Sequence, residues 1–289
     1  MKITLLGTGC PQVSSARRGP ANLLDWQGKQ YLIDCGSGVT QRLVEAGSAG
    51  RDIEALLLTH LHSDHLVDLY QLIVSSWHQG RDRPQRIYGP VGTKRFADGL
   101  MALWKPELDA RIAHEKRPST KALELQVTEL QPGDVLNEGG LGITAVGVRH
   151  QPVSNAFGFI FQDAQHRVAF SGDTAYCPEL IEAARGADAI VHECFIHREI
   201  LIRPGVRSEE GMRNVASYHT LSSEVGKVAR EAQAKCLILN HFVPVEFDRA
   251  ALLAEVRADF GGSLVIGEDL MRFDCAARSL THNGAVVGF

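Results

Sequence analysis

Thr59-His60-Leu61-His62-Ser63-Asp64-His65 places four potential metal ligands within six residues, directly after the apolar run Ala55–Leu58. A turn leaving a strand end can aim alternate side chains into one cavity, and imidazole with carboxylate is a ligand set suited to zinc or a similar borderline metal. A solvated polar turn would account for one or two of these residues. It would not account for a regular His-x-His-x-Asp-His.

Further candidates take equivalent places along the chain. His150 follows the run Ile143–Val148, Asp173 follows Val168–Phe170 in Ser171-Gly172-Asp173-Thr174, and His241 follows Leu237–Leu239. Each is expected just beyond the carboxyl end of a strand, the edge at which open α/β sheets build ligand sites. Taken singly, Asp173 would read as a turn residue and His150 as a surface histidine. Their shared placement groups them with His60–His65.

The runs Ile3–Leu6, Tyr31–Ile33, Ala189–Val191 and Leu264–Ile266 also read as strands. Leu66, Leu69, Tyr70, Ile73, Val74 and Trp77 recur at helical spacing, as do Val225, Val228, Ala229 and Ala232. Thr220 or Ser222 is the expected cap of the second helix, and Pro178 suits the first turn of another through Ala184. Alternating strands and helices imply a layered α/β architecture in one domain over residues 1–289. The stretch Lys105 to Lys121, with charges and two prolines, reads as an exposed excursion or lid.

Composition narrows the function classes. Hydrophobic residues at 44% and charged residues at 22% are ordinary for a chain that buries a core. A net charge of -4 and a pI near 6.3 supply no overall attraction for nucleic acid or anionic membranes. The six cysteines are widely spaced, without a C-x-x-C pair, as expected of reduced, buried thiols. With no apolar leader and no run long enough to span a membrane, the expectation is a soluble, cytoplasmic protein.

The His60–His65 cluster with His150, Asp173 and His241 resembles the metallo-β-lactamase superfamily, whose fold is an αββα sandwich with its site at one sheet edge. Leu6-Gly7-Thr8-Gly9, Leu32–Gly38, Ala189–Glu193, His219-Thr220 and His241–Pro244 are similar to the branch holding ribonuclease Z and the metallo-type arylsulfatases. The resemblance implies a hydrolase with two Zn2+ per chain: His60, His62 and His150 on one, Asp64, His65 and His241 on the other, and Asp173 bridging. It also implies a metal-bridging hydroxide as nucleophile, Asp64 orienting it, and His219 as a catalytic residue that stabilises charge or protonates the leaving group. Asp34 and His192 are expected to support the site from behind, orienting ligand imidazoles or His219. Aspartate at position 173, where several true β-lactamases carry cysteine, weighs against antibiotic cleavage.

Ribonuclease Z usually inserts a long tRNA-gripping arm between the positions of His150 and Asp173. Here Phe157–Val168 reads as two strands around a short turn. The first expectation is therefore a small-molecule substrate, a sulfate or phosphate ester, with arylsulfatase- or phosphodiesterase-like activity. RNA is the disfavoured partner, and tRNA 3′-processing the second reading, with the Arg81–Arg86 or Arg111–Arg117 stretch as an alternative grip. Lactone or thioester hydrolysis and a non-catalytic metal-binding regulator are the remaining readings, and a homodimer is left open.

Overall fold

The computed structural model describes residues 1–288 apart from 201, 203, 204, 206 and 207, with residue 199 described by its backbone. The first half of the chain runs β1 (Lys2–Gly7), β2 (Ala21–Trp26), β3 (Lys29–Ile33), α1 (Val39–Glu45), β4 (Ile53–Leu57), α2 (Leu69–His78), β5 (Gln85–Pro90), α3 (Thr93–Glu115) and β6 (Leu125–Leu130). Next come β7 (Val135–Asn137), β8 (Gly142–Gly147), β9 (Phe157–Gln162), β10 (Arg167–Phe170), α4 (Pro178–Ala183), β11 (Ala189–Phe195), α5 (Glu209–Ala216), α6 (Ser222–Glu231), β12 (Cys236–Val243), α7 (Arg249–Arg257) and β13 (Ser263–Ile266). Finally β14 (Arg272–Asp274), β15 (Ser279–His282) and β16 (Ala285–Gly288) rejoin the first sheet, β14 pairing antiparallel with β1.

Among the described residues the strands form two sheets, in the orders β16-β15-β14-β1-β2-β3-β4-β5-β6 and β13-β12-β11-β10-β9-β8-β7. Their central strands are buried on both faces, which is why the sequence shows continuous apolar runs instead of alternation. In β4, Ala55 and Leu57 point between the sheets, while Leu56 packs outward against Leu69, Leu72 and Ile73 of α2. In β9, Phe157, Phe159 and Phe161 fill the space between the sheets, and Ile160 faces the outer layer of α4, α6 and α7. Each fully buried phenylalanine contributes about 1.5–3 kcal/mol of apolar transfer. The result is the αββα sandwich expected from the sequence.

Parallel pairing of β3 through β6, and of β10 through β13, points two sets of carboxyl ends toward one edge. That edge carries the cluster described below.

Two local readings are corrected. The supposed excursion from Lys105 is the second half of α3, which continues to Glu115 across Pro106. Its charges are the solvated face of a helix, paired four residues apart as Lys105–Asp109, Arg111–Glu107 and Arg111–Glu115. Neither Thr220 nor Ser222 caps α6. The N-cap is Leu221, whose amide donates to Glu224 at 3.4 Å, and Thr220 instead donates its hydroxyl to the Thr174 carbonyl at 2.6 Å. That bond fastens the loop bearing His219 to the loop bearing Asp173.

Candidate metal centre

The loop after β4 is held by one buried carboxylate. Asp34, in the left-handed region at φ 62, accepts the Thr59 amide at 2.8 Å and the Thr59 hydroxyl at 2.9 and 3.0 Å. It also takes the Nδ1 proton of His65 at 2.8 Å and so holds that imidazole in place. His60 Nδ1 lies 3.0 Å from the Thr59 hydroxyl, and His150 Nδ1 donates to the Tyr218 carbonyl at 2.9 Å. These contacts turn the Nε2 atoms of His60, His65 and His150 inward.

His241 reaches the site differently from the expectation. It does not follow β12; it lies within it, at φ 43, as the extra residue of a bulge between the pairs Glu193↔Asn240 and Cys194↔Phe242. A bulge re-aims one side chain without ending the strand, and here it turns His241 toward Asp64 and Asp173.

The inward atoms form two triads. His62 Nδ1 stands 3.0 Å from His60 Nε2 and 3.1 Å from His150 Nε2. His241 Nε2 stands 3.2 Å from His65 Nε2 and 3.4 Å from Asp64 Oδ2, which is 3.5 Å from His65 Nε2. Asp173 sits between them, 3.4 Å from both His65 and His241 and 3.9 Å from His60 and His150. Ligands about 2.1 Å from a tetrahedral zinc are separated by about 3.4 Å, so both triads have the size of metal sites. Buried oxygens Asp64 Oδ2 and Asp173 Oδ1 have no hydrogen-bond partner. Buried acceptors left unpaired are costly, and a cation between them removes that cost. The donor set fits such ions.

The electrostatics agree. Burial opposes charge on His65, yet Asp173 and Asp34 outweigh it and hold the imidazole well above its ordinary pKa; in His241, Asp173 and Asp64 outweigh burial to reach about 9. Burial and neighbouring imidazoles drive His60 well below its ordinary value. Asp173 is held well below the usual carboxylate range because His241 and His65 overcome its burial. Protons here take up positions for which a metal ion would compete.

His219 lies beside the triads, with Nδ1 4.0 Å from Asp173 and its ring 5.2 Å from that of His150, and these three make a further group that could hold a cation. That nitrogen is held by both oxygens of Glu193, at 2.9 and 2.8 Å, and the ring stacks on Phe195 at 5.5 Å. Burial lowers the His219 pKa, the Glu193 carboxylate outweighs it with help from Asp173, and the net direction is up. Glu193, not His192, is thus the partner of His219. His192 donates Nδ1 to the Glu193 main-chain carbonyl at 2.9 Å and is pushed down to about 4 by burial. Adjacent strand residues face opposite sides of the sheet, which was the signal available for choosing between them.

An open cleft of about 370 Å³ exposes this edge, with His62, Asp64, Asp173, His219 and His241 at its floor. The two basic stretches suggested as an RNA grip are already engaged. Arg83 and Arg86 pair with Glu54, Arg86 also with Glu138, and Arg81 donates to four main-chain carbonyls. Arg111 and Arg117 pair with Glu115.

Residues 1–202 match the family described as Anti-Pycsar protein Apyc1. A Ribonuclease Z from Mycobacterium marinum is 32% identical over 285 residues, covering 96% of this chain and 100% of that protein. The chain belongs to the metallo-β-lactamase-fold hydrolases, within the family of Apyc1 and ribonuclease Z. A Ribonuclease Z from Mycolicibacterium gilvum is 34% identical, covering 94% of this chain and 95% of its own. Among solved structures of this fold, YhfI from Bacillus subtilis superposes with a TM-score of 0.73 at 22% identity, covering 94% of this chain and 98% of that one. Human tRNase Z, short form, gives 0.71 at 22% identity, covering 95% and 99%. These sequence relatives carry the name of the second reading from the sequence, not that of the first.

Proposed function

We propose that this hydrolase is a metal-dependent phosphodiesterase acting on nucleotide-type phosphodiester bonds. The observation that carries the reading is the position of Asp173 between two ligand triads, with the Glu193-held imidazole of His219 beside it. Zinc ions held by His60, His62 and His150, by Asp64, His65 and His241, and by Asp173 between them would acidify a water and draw charge from the scissile phosphate. Asp64, with an unpartnered oxygen facing this space, orients the attacking water. His219 gives its Nε2 proton to the leaving oxygen as the phosphorus–oxygen bond breaks, and Glu193 keeps that ring charged and aligned.

The names of the full-length relatives support an RNA end as substrate. A compact phosphodiester is the second reading, supported by the tight β9–β10 hairpin between His150 and Asp173 and by the engaged arginines. The sulfate-ester reading draws no support from the relatives' names.

The test is turnover by the zinc-loaded protein of precursor tRNA, a dinucleotide, bis(p-nitrophenyl) phosphate, p-nitrophenyl sulfate and a lactone. We expect kcat/KM for the phosphodiesters to exceed that for the sulfate by about 100-fold or more, the scale of catalysis by one positioned group. Cleavage of the tRNA at one defined position, with binding that weakens steeply with salt, would mark the RNA reading. A sulfate or lactone preferred over every phosphodiester would sink the assignment.

A further inference from the structure

The mouth of the cleft differs from its floor. Pro11, Val215, Tyr218 and Val243 add apolar wall to a cleft otherwise lined by imidazoles, carboxylates and Ser63, and Tyr218 lies against His219. Val215 comes from α5, a helix in which no residue is buried. Val215 is thus a half-buried aliphatic residue of α5 that lines the cleft without belonging to a core.

Tyr218 is the planar element of this wall. Its ring meets His150 edge-on, with centroids 5.0 Å apart at 90°, and lies tilted on His219 at 4.8 Å and 49°. Among the described residues its hydrogen bond to the ligand set runs through the main chain, since the Tyr218 carbonyl, not the phenol, accepts from His150 Nδ1. The hydrogen bond that orients His150 is therefore kept when the ring is replaced.

We propose that Tyr218, with Val215, Pro11 and Val243, forms a stacking shelf for the planar base of a nucleotide whose phosphate occupies the His/Asp centre. The inference rests on the phosphodiesterase reading. A phosphate seated at the floor places its substituent on the His219 side against this wall, and the cavity of about 370 Å³ falls within the range of small-ligand sites. An aromatic face with aliphatic flanks recognises the π-surface common to all bases and discriminates little among them. The site is thus built to prefer a nucleotide over the same sugar phosphate without its base.

Calorimetric titration of the metal-loaded protein with a nucleoside monophosphate and with ribose 5-phosphate tests this without turnover. Wild type should bind the nucleotide about 5- to 150-fold more tightly, the range that base–aromatic stacking supplies. Tyr218→Phe should keep that ratio, whereas Tyr218→Ala and Tyr218→Leu should bring it near one while metal content and ribose 5-phosphate affinity hold. The leucine variant preserves apolar volume, so it separates stacking from plain burial. Equal binding of both ligands to wild type, or a ratio that survives in both variants, would overturn the shelf while leaving the phosphate seat intact. Failure of both ligands to bind would bring down the phosphodiesterase reading and the shelf together.

Discussion

Replacing Glu193 with glutamine isolates the charge behind His219. In the native chain both carboxylate oxygens accept from His219 Nδ1, at 2.9 and 2.8 Å, and Oε1 also accepts the Thr174 amide at 2.6 Å. Glutamine keeps the shape and one acceptor but removes the negative charge. A hydrogen bond to a charged group contributes about 1.5–3 kcal/mol against about 0.5–1.5 for a neutral one. The protonated form of His219 should therefore lose about 1.4 kcal/mol of support, or about one pKa unit. Burial opposes the charge on His219 and Glu193 overcomes it, so the native pKa lies above the ordinary histidine value. A proton donor works while protonated, so the rate falls as pH rises through that pKa, and in Glu193→Gln the fall should begin about one unit lower. The assay is kcat against pH for a dinucleotide, whose leaving oxygen needs a proton, beside bis(p-nitrophenyl) phosphate, whose acidic leaving group does not. We expect a loss of about tenfold on the alkaline side for the first substrate, little change for the second, and unchanged metal content. An alkaline limb in its native position would refute the idea that Glu193 keeps His219 charged. Loss of metal would instead move Glu193 into the support of the ligands.

Asp173→Ala should lower occupancy at both metal positions, because its oxygens lie 3.4 to 3.9 Å from imidazoles of both triads, whereas His150→Ala should affect chiefly one; elemental analysis after reconstitution reads the difference. Gly172→Ala should cost about 1–3 kcal/mol and reduce metal content, since Gly172 sits at φ +59 and an added Cβ would stand 2.5 Å from the Phe157 carbonyl oxygen. Urea unfolding and metal analysis of that variant check both effects. His192 is buried and neutral, with its pKa pushed down from 6.5 to about 4, so the unfolded chain gains a proton that the folded chain refuses as pH drops through this window. Stability should fall by about 3 kcal/mol across it, and His192→Asn should flatten that part of the acid-unfolding curve. An equally steep curve in the variant would assign the loss to other groups.

The layered architecture, and the residues that meet at one sheet edge, were legible in the chain because both have local signatures. Strands buried on two faces must be apolar at consecutive positions, so Ala55–Leu58 and Leu237–Leu239 announce themselves without partners. The His60–His65 turn is dense enough to be read alone, and Asp34 was within reach because its carboxylate follows an apolar run. The pairing of His219 with Glu193 depends on contacts across 26 positions, and the choice of Glu193 over His192 depends on which face of β11 looks into the cleft. Likewise the bulge that admits His241 exists only in the register between β11 and β12. Charges on α3 read as a loop because a solvated helix with a proline carries little apolar periodicity; their i,i+4 pairing becomes meaningful once the backbone is helical. Residue types and their nearness to apolar runs thus nominate the groups that could meet a metal. Tertiary structure decides their aim, because hydrogen-bond partners, strand register and the faces of neighbouring elements are long-range properties that no local window contains.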